Sequence, residues 1–354
     1  MTTTPRESGY RFPAEWEPQA ATWFSWPHNL ETWPGKFEPI PDFFAGLMKA
    51  LTPFQHVNIN VTGSEMHREV EARLARSGVD LSRVTLYDIP TNDTWCRDHG
   101  PAFVVNPTNP EPLAIIDWAY NAWGGKYPPW DNDDIVPTRI AEARRLPVFY
   151  PGIIMEGGSI DVNGAGCLLT SRSCLLNKNR NPALTQSEIE NYLADYYTVE
   201  KILWVDEGIV GDDTDGHIDD TARFISPNTI VAAVETNSSD ENYPILRNNL
   251  SALKSMTDLR GKPFRILELP MPAPVSYKGQ RLPASYVNFL VANGVILVPT
   301  FRDKNDAVAI AILQREFPER KVIGVDCVDL VYGLGTLHCI SQQEPMANKA
   351  HKGA

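Results

Sequence analysis

At 354 residues and 43% hydrophobic content the chain is long enough to bury a large core, and length alone leaves open two or three domains or one closed architecture. A formal charge of -12 and a pI near 5.1 argue against a nucleic-acid surface, which needs clustered Lys and Arg. The same sign suits a small cationic partner.

The opening stretch, MTTTPRESGYRFPAEWEPQ, has no basic segment followed by an apolar core, so no secretory signal is expected. The most apolar run, VNFLVANGVILVPTF, is broken by Asn288, Asn293 and Gly294 and is too short to span a bilayer. A soluble, cytoplasmic protein is the expectation. The five cysteines, Cys96, Cys167, Cys174, Cys327 and Cys339, are odd in number and form no CxxC pair. Reduced thiols follow, rather than a disulfide framework or a zinc knuckle.

In chain order, amphipathic helices are predicted at Ser64 to Gly78, Pro137 to Arg145, Thr185 to Tyr197, Tyr243 to Met256 and Asn305 to Phe317. Ser64 and Gly78 flank the first, Thr185 and Glu188 form a capping box, and Pro244 suits a first turn. A short β-rich run follows each helix: VTLYDI, VFY, KILWVD, FRILEL and KVIGVD. After each of the first four comes a strand-turn-strand pattern, with Asn163-Gly164 and Asn293-Gly294 supplying the left-handed residues of tight hairpins. The fifth hairpin is half present, as HCISQQ, and ATWFSW (Ala21 to Trp26) is the candidate to return from the N-terminus and complete it. With no Pro- or Ser-rich linker between units, residues 1–354 are expected to form a single closed domain.

Periodicity alone fits an ordinary α/β sheet as well as a ring of five units. The polar knots favour the ring. RDHG (Arg97 to Gly100), EGGS (Glu156 to Ser159), GHIDD (Gly216 to Asp220) and LHC (Leu337 to Cys339) occupy equivalent places between a first strand and the next hairpin. In a ring, such places converge on the axis and line one central pocket.

The residues so collected are Cys339, His217, Asp98, Asp219 and Glu156. A cysteine has an unperturbed pKa of about 8.5 and needs a nearby cation to become the attacking thiolate at neutral pH. Either protonated His217 or a positively charged substrate against the sulfur would serve, with His217 shuttling protons and Glu156 orienting the imidazole. Two aspartates beside the thiol oppose an oxyanion, which calls for donors, so amide hydrolysis is disfavoured. They suit a guanidinium, a planar cation whose N–H edges carboxylates can grip while sulfur attacks the central carbon.

Each of these motifs also admits a plainer role. A calcium loop with Gly216 at its sixth position would put Gly211 first and Ala222 twelfth, where carboxylates are required, so that assignment fails. His217 and Asp219 as metal ligands lack a matching HxH or HExxH partner. Alone, Asp98 in WCRDHG is accounted for by an ion pair with Arg97, and EGGS by a turn. Cys96 is the rival nucleophile, but its neighbour Trp95 suggests an inert buried thiol, and Cys339 is preferred.

With these residues in view, the chain resembles the agmatine deiminases of the wider peptidylarginine-deiminase group of guanidine-modifying enzymes. The resemblance runs almost end to end through TWCRDHGPAFVVN, YNAWGGKYPPWDNDD, MEGGSIDVNG, LLNKNRNP, DDTDGHIDDTARF, LPASYVNFLVANGVILVPTF and GLGTLHCISQQEP. It implies a five-bladed α/β propeller (pentein) with a central active site, and hydrolytic deimination with no cofactor and no metal. Carried over residue by residue, it makes Cys339 the nucleophile and His217 the general acid/base. Asp98 and Asp219 become the guanidinium-binding aspartates, Glu156 orients His217, and Trp123 and Gly124 of the NAWGG segment become candidates for substrate binding.

The implied reaction takes agmatine to N-carbamoylputrescine and ammonia through a covalent S-alkylthiouronium intermediate. Two departures bear on the substrate's tail: Tyr332-Gly333-Leu334-Gly335-Thr336 replaces a glycine-rich run with an asparagine, and Tyr120 stands where Phe is familiar. The alternatives are a deiminase of free or peptidyl arginine, for which no Arg or Lys beside the knots offers itself to a carboxylate, and a non-catalytic guanidine or polyamine binder. A homodimer is compatible with the resemblance; nucleic-acid and membrane partners are not expected.

Overall fold

The computed structural model describes residues 3–347. Its strands form one four-stranded sheet, four three-stranded sheets and a two-stranded hairpin, in a mixed α/β arrangement. Chain order and sheet order coincide, because each sheet is built almost entirely from one continuous stretch of sequence.

The first stretch is β1 (Gln19–Ser25), α1 (Ile40–Leu51), β2 (His56–Val61), α2 (Gly63–Arg76) and β3 (Val84–Asp88). β2 runs parallel to both β1 and β3. α1 buries the stripe Ile40, Phe44, Leu47, Met48 and Leu51, the i, i+4, i+7, i+8 and i+11 spacing of one helical face. The Ser64 to Gly78 expectation falls on α2, which begins one residue earlier with Thr62 at its N-cap.

The second stretch opens with the short helix α3 (Cys96–His99) and the antiparallel pair β4 (Ala102–Val105) and β5 (Leu113–Ile116). Short turns α4 (Ala122–Gly125) and α5 (Asp131–Asp134) lead into α6 (Val136–Arg144) and then β6 (Val148–Phe149), parallel to β5. The third is a 3₁₀ turn at Gly157–Ser159, antiparallel β7 (Ile160–Val162) and β8 (Cys167–Ser171), α7 (Arg172–Leu175), α8 (Gln186–Tyr197), and β9 (Lys201–Val205), parallel to β8. The capping box of Thr185 and Glu188 is present at the start of α8.

The fourth repeats the plan with a 3₁₀ turn at Ile218–Asp220, β10 (Ala222–Ser226), β11 (Thr229–Val234), α9 (Asn242–Ser255) and β12 (Arg265–Pro270). The hairpin β13 (Ser276–Tyr277) and β14 (Gln280–Arg281) follows. The fifth is β15 (Leu290–Ala292), β16 (Val295–Thr300), α10 (Asp306–Glu316) and β17 (Lys321–Asp326). The chain ends its regular structure in β18 (Ser341–Pro345), which returns to the first sheet and pairs antiparallel with β1.

Each of the five larger sheets therefore has the same core: an antiparallel pair, a helical crossover and a third strand added in parallel. Apolar residues pack in separate clusters between the strands and their helices. Charged groups are buried between those clusters: Arg97, Asp98, Glu156, Asp219, Arg223 and His338 are all 6% exposed or less. Ionised groups survive burial only when paired or neutralised, so this polar centre has to be satisfied by its own contacts. Among the described residues no helix is long and apolar enough to cross a membrane.

Candidate active site

The polar knots sit immediately before the first strand of an antiparallel pair. Asp98 lies in α3 ahead of β4, Glu156 ahead of the Gly157–Ser159 turn and β7, Asp219 in the Ile218–Asp220 turn ahead of β10, and Cys339 ahead of β18. The turns touch one another. The Arg97 amide donates to the Cys339 carbonyl at 3.0 Å, and the Gly158 amide donates to Asp98 Oδ1 at 3.0 Å. Gly158 is required for that approach: a Cβ there would lie 2.5 Å from His217 Nδ1 and 2.8 Å from Asp98 Oδ1.

Cys339 is nearly buried, with Asp219 Oδ2 at 3.9 Å from its Sγ. Asn288 Nδ2 donates to the sulfur at 3.1 Å. Burial, then the charges of Asp219, Asp220 and Asp98, push the thiol well above its usual range. Asp98 Oδ2 accepts from Trp123 Nε1 at 3.0 Å. Burial and the neighbouring Asp219 and Glu156 also raise the Asp98 carboxyl well above the ordinary range, which favours its protonated form in the free protein. Arg97 does not pair with it; that guanidinium binds the His338 carbonyl, Gln342 and Gln343.

Asp219 takes the opposite state. Burial pushes its carboxyl up, but the 2.7 Å hydrogen bond from His338 Nδ1 to Oδ2 and the charge behind it outweigh burial and bring it below the usual range. Asp219 Oδ1 has no partner. His217 is buried, which drives its pKa down to about 3, so the imidazole is neutral and does not supply the cation for the thiol. Its Nδ1 lies 3.7 Å from Asp98 Oδ1, beyond hydrogen-bonding distance and with both groups uncharged, so the contact is not an ion pair.

Glu156 is held by Arg180, whose Nε donates to Oε1 at 2.6 Å, while Glu156 Oε2 and His217 Nε2 are unpartnered. Glu156, His217 and Cys174 each bring a possible ligand atom within 4.8 Å of one another. The Arg180 guanidinium already holds that carboxylate, and a cation in this position disfavours a divalent metal.

A cavity of about 850 Å³ opens onto this centre. Asp98, Trp123 and Cys339 are in its wall; His217, Glu156 and Asp219 lie buried behind it. Gly124 is outside the lining. Its positive φ of 91° completes a turn in which its amide donates to Asn121 Oδ1 at 2.8 Å, and a Cβ there would lie 2.4 Å from Asn179 Nδ2. Cys96 is fully buried and also outside the lining. Both departures noted in the sequence border the cavity, through Tyr120 and through Tyr332, Gly333 and Leu334.

Some wall residues were not anticipated. Lys126 and Lys278 bring two cations to the cavity from segments away from the knots, where nothing in the sequence pointed to them. Lys126 is occupied by Asp213 and Asp215, at 3.4 and 3.0 Å. Acids predominate: Glu31, Asp93, Asp133 and Asp213 line the same wall. Asp93 is lifted to about 6 by burial and by Asp133.

Asn288 was also missed, although its signal was legible. It interrupts an apolar run just before β15, the place in the fifth sheet that the knots occupy in the others. Its Oδ1 accepts from Thr336 Oγ1 at 2.6 Å and from the His338 amide at 3.0 Å, which fixes the loop carrying Cys339.

The family model of the Porphyromonas-type peptidyl-arginine deiminases matches residues 11–345. This chain belongs to that family. The agmatine deiminase of Pseudomonas aeruginosa (strain LESB58) is 38% identical, with 99% of each chain covered. The solved agmatine deiminase of Enterococcus faecalis superposes with a TM-score of 0.91 at 34% identity and 99% coverage of both chains. A cysteine-to-serine variant of the C. jejuni agmatine deiminase, solved with substrate bound, superposes at 0.86 with 33% identity, covering 96% of this chain and 97% of that one. The family's mixed α/β fold is thus shared over essentially the whole length.

Proposed function

We propose that the protein hydrolyses agmatine to N-carbamoylputrescine and ammonia, with Cys339 as the nucleophile. One observation carries the chemistry: the buried thiol lies 3.9 Å from the Asp219 carboxylate, feels Asp220 and Asp98 as well, and opens onto a cavity lined, among the described residues, by no arginine. A site so arranged is completed by a substrate that brings its own positive charge. Whole-length similarity to agmatine deiminases supports the same reading.

A guanidinium entering between Asp98 and Asp219 draws the Asp98 proton off and favours the thiolate, because an opposite charge within a few ångströms stabilises both anions. Sulfur then bonds to the guanidinium carbon. His217, neutral in the free protein, takes up the proton that leaves the thiol and gives it to the departing nitrogen. The C–N bond breaks, ammonia leaves and an S-alkylthiouronium remains. Water, deprotonated by His217, adds to the same carbon; the C–S bond breaks, releasing the ureido product and the thiol. Glu156, held in place by Arg180, lies within 4.8 Å of the imidazole and would orient it once the two free atoms close to a hydrogen bond.

Elsewhere in the cavity wall, Glu31, Asp93, Asp133 and Asp213 suit the primary ammonium of agmatine. Free arginine would place a carboxylate among the same acids, with Lys126 already paired. The five similar sheets, and the return of β18 to β1, support one closed five-bladed propeller whose axis carries the site. Incubation with agmatine, free arginine and a peptidyl arginine, with ureido product measured, tests the assignment. Agmatine is expected to turn over fastest; no turnover of agmatine overturns it. Selective labelling of Cys339 by a haloacetamidine over iodoacetamide, read by mass spectrometry, tests the guanidinium pocket separately.

A further inference from the structure

His338 precedes the nucleophile in sequence, yet its side chain serves another residue. Nδ1 lies 2.7 Å from Asp219 Oδ2 and Nε2 lies 2.9 Å from Glu15 Oε2. A neutral imidazole carries one N–H, so serving both carboxylates takes both ring protons. Glu15 comes from the segment before β1 and is itself fixed: its Oε1 accepts from the Val291 amide at 3.1 Å, and its Oε2 pairs with Arg223 Nη2. Arg223 in turn is held by Asp161 at 3.2 Å and lies over the Phe289 ring at 4.4 Å. Every side chain in this line is buried. It ends at Asp219, where one oxygen is held by His338 and the other has no partner.

We propose that His338 is a positioning residue for substrate binding: fixed from behind by Glu15 and Arg223, it holds Asp219 as an oriented anion and leaves Oδ1 free for a guanidinium N–H. The inference rests on the reading of Asp219 as a guanidinium-binding residue. A buried carboxylate without such a donor would take up a proton, as Asp98 does, and lose its charge-assisted grip on the cation. The N-terminal segment is thereby tied to the site through one imidazole.

Two substitutions separate the two ring nitrogens. In His338→Asn the amide nitrogen falls near the position of Nδ1 and keeps the bond to Asp219; in His338→Gln it reaches toward the position of Nε2 and keeps only Glu15. Agmatine affinity is measured by calorimetry in a Cys339→Ser background, which prevents turnover. His338→Gln is expected to weaken binding about tenfold, the loss of one charge-assisted hydrogen bond, and His338→Asn less than about threefold. In an Asp219→Asn background the added His338→Gln change is expected to cost nothing further.

Equal effects of the two variants, or a His338→Gln loss that persists undiminished after Asp219→Asn, would reduce His338 to a packing role and overturn the inference. Should both His338 variants unfold in thermal melts, Glu15→Gln keeps size and an acceptor while removing the charge. It is then expected to weaken binding a few-fold, and unchanged affinity overturns the proposal. If Asp219→Asn alone leaves affinity unchanged, the guanidinium reading of the site fails, and this inference with it.

Discussion

Asp98 and Asp219 lie near the same thiol on equivalent turns of different sheets, yet their surroundings shift their carboxyls in opposite directions. Around Asp98 the donors are neutral, the Trp123 indole N–H and the Gly158 amide, and burial with nearby acids keeps the carboxyl protonated. Around Asp219 the donor is an imidazole braced by Glu15 and Arg223, and the carboxyl is an anion. The difference teaches that a two-carboxylate clamp can be stored half charged. In the proposed reaction Asp219 would attract the cation, and Asp98 would ionise as the cation arrives. Two ionised carboxylates beside a thiolate would cost far more to keep buried than one.

Four measurements break or sharpen that comparison. Cys339→Ser removes the proposed nucleophile and is expected to lower kcat by more than about 10⁴-fold in a ureido-product assay. Asp219→Asn neutralises the standing anion and should lower kcat/KM by about 10³-fold, whereas Asp98→Asn, replacing a group already neutral in the free protein, should cost about 10²-fold. Equal losses, or the reverse order, would mean that the two arms are equivalent in charge.

The third concerns protons. Because burial and nearby acids favour the protonated forms of Asp98 and the thiol, an entering cation is expected to expel protons. Agmatine affinity should then strengthen as pH rises, by up to about tenfold per pH unit for each proton released. Calorimetry in buffers of different ionisation enthalpy counts them, and Asp98→Asn should release about one proton fewer. Uptake instead of release would invert the assigned states. The smallest effect is expected from Trp123→Phe, which removes one neutral donor to Asp98 and should raise the KM for agmatine about fivefold, corresponding to about 1 kcal/mol.

Much of the fold was legible because each sheet is local in sequence. The α8 capping box, the Asn163-Gly164 and Asn293-Gly294 turns and the β-rich runs after the helices all fall within single stretches of chain. α1 and β2 were not anticipated, although Ile40, Phe44, Leu47, Met48 and Leu51 carry a helical stripe. The stretch lies before the first repeated knot, so the repeat gave no cue to search there. Cys339, His217, Asp98, Asp219 and Glu156 were identifiable because their knots recur at equivalent places. Asn288 occupies that place too, but an amide inside an apolar run looks like an interruption rather than a function.

The sequence by itself determined the order of sheets and helices, the family and the set of reactive side chains, since these depend on short-range spacing and on residue type. Only the tertiary structure decided which acids are charged. That depends on burial and on partners brought from distant parts of the chain: Glu15 and Arg223 behind His338, and Trp123 against Asp98. It also drew Lys126, Lys278 and four acids into one cavity wall. Coulomb interactions act through space and strengthen as water is excluded, so the state of an ionisable group follows from neighbours that linear order does not reveal.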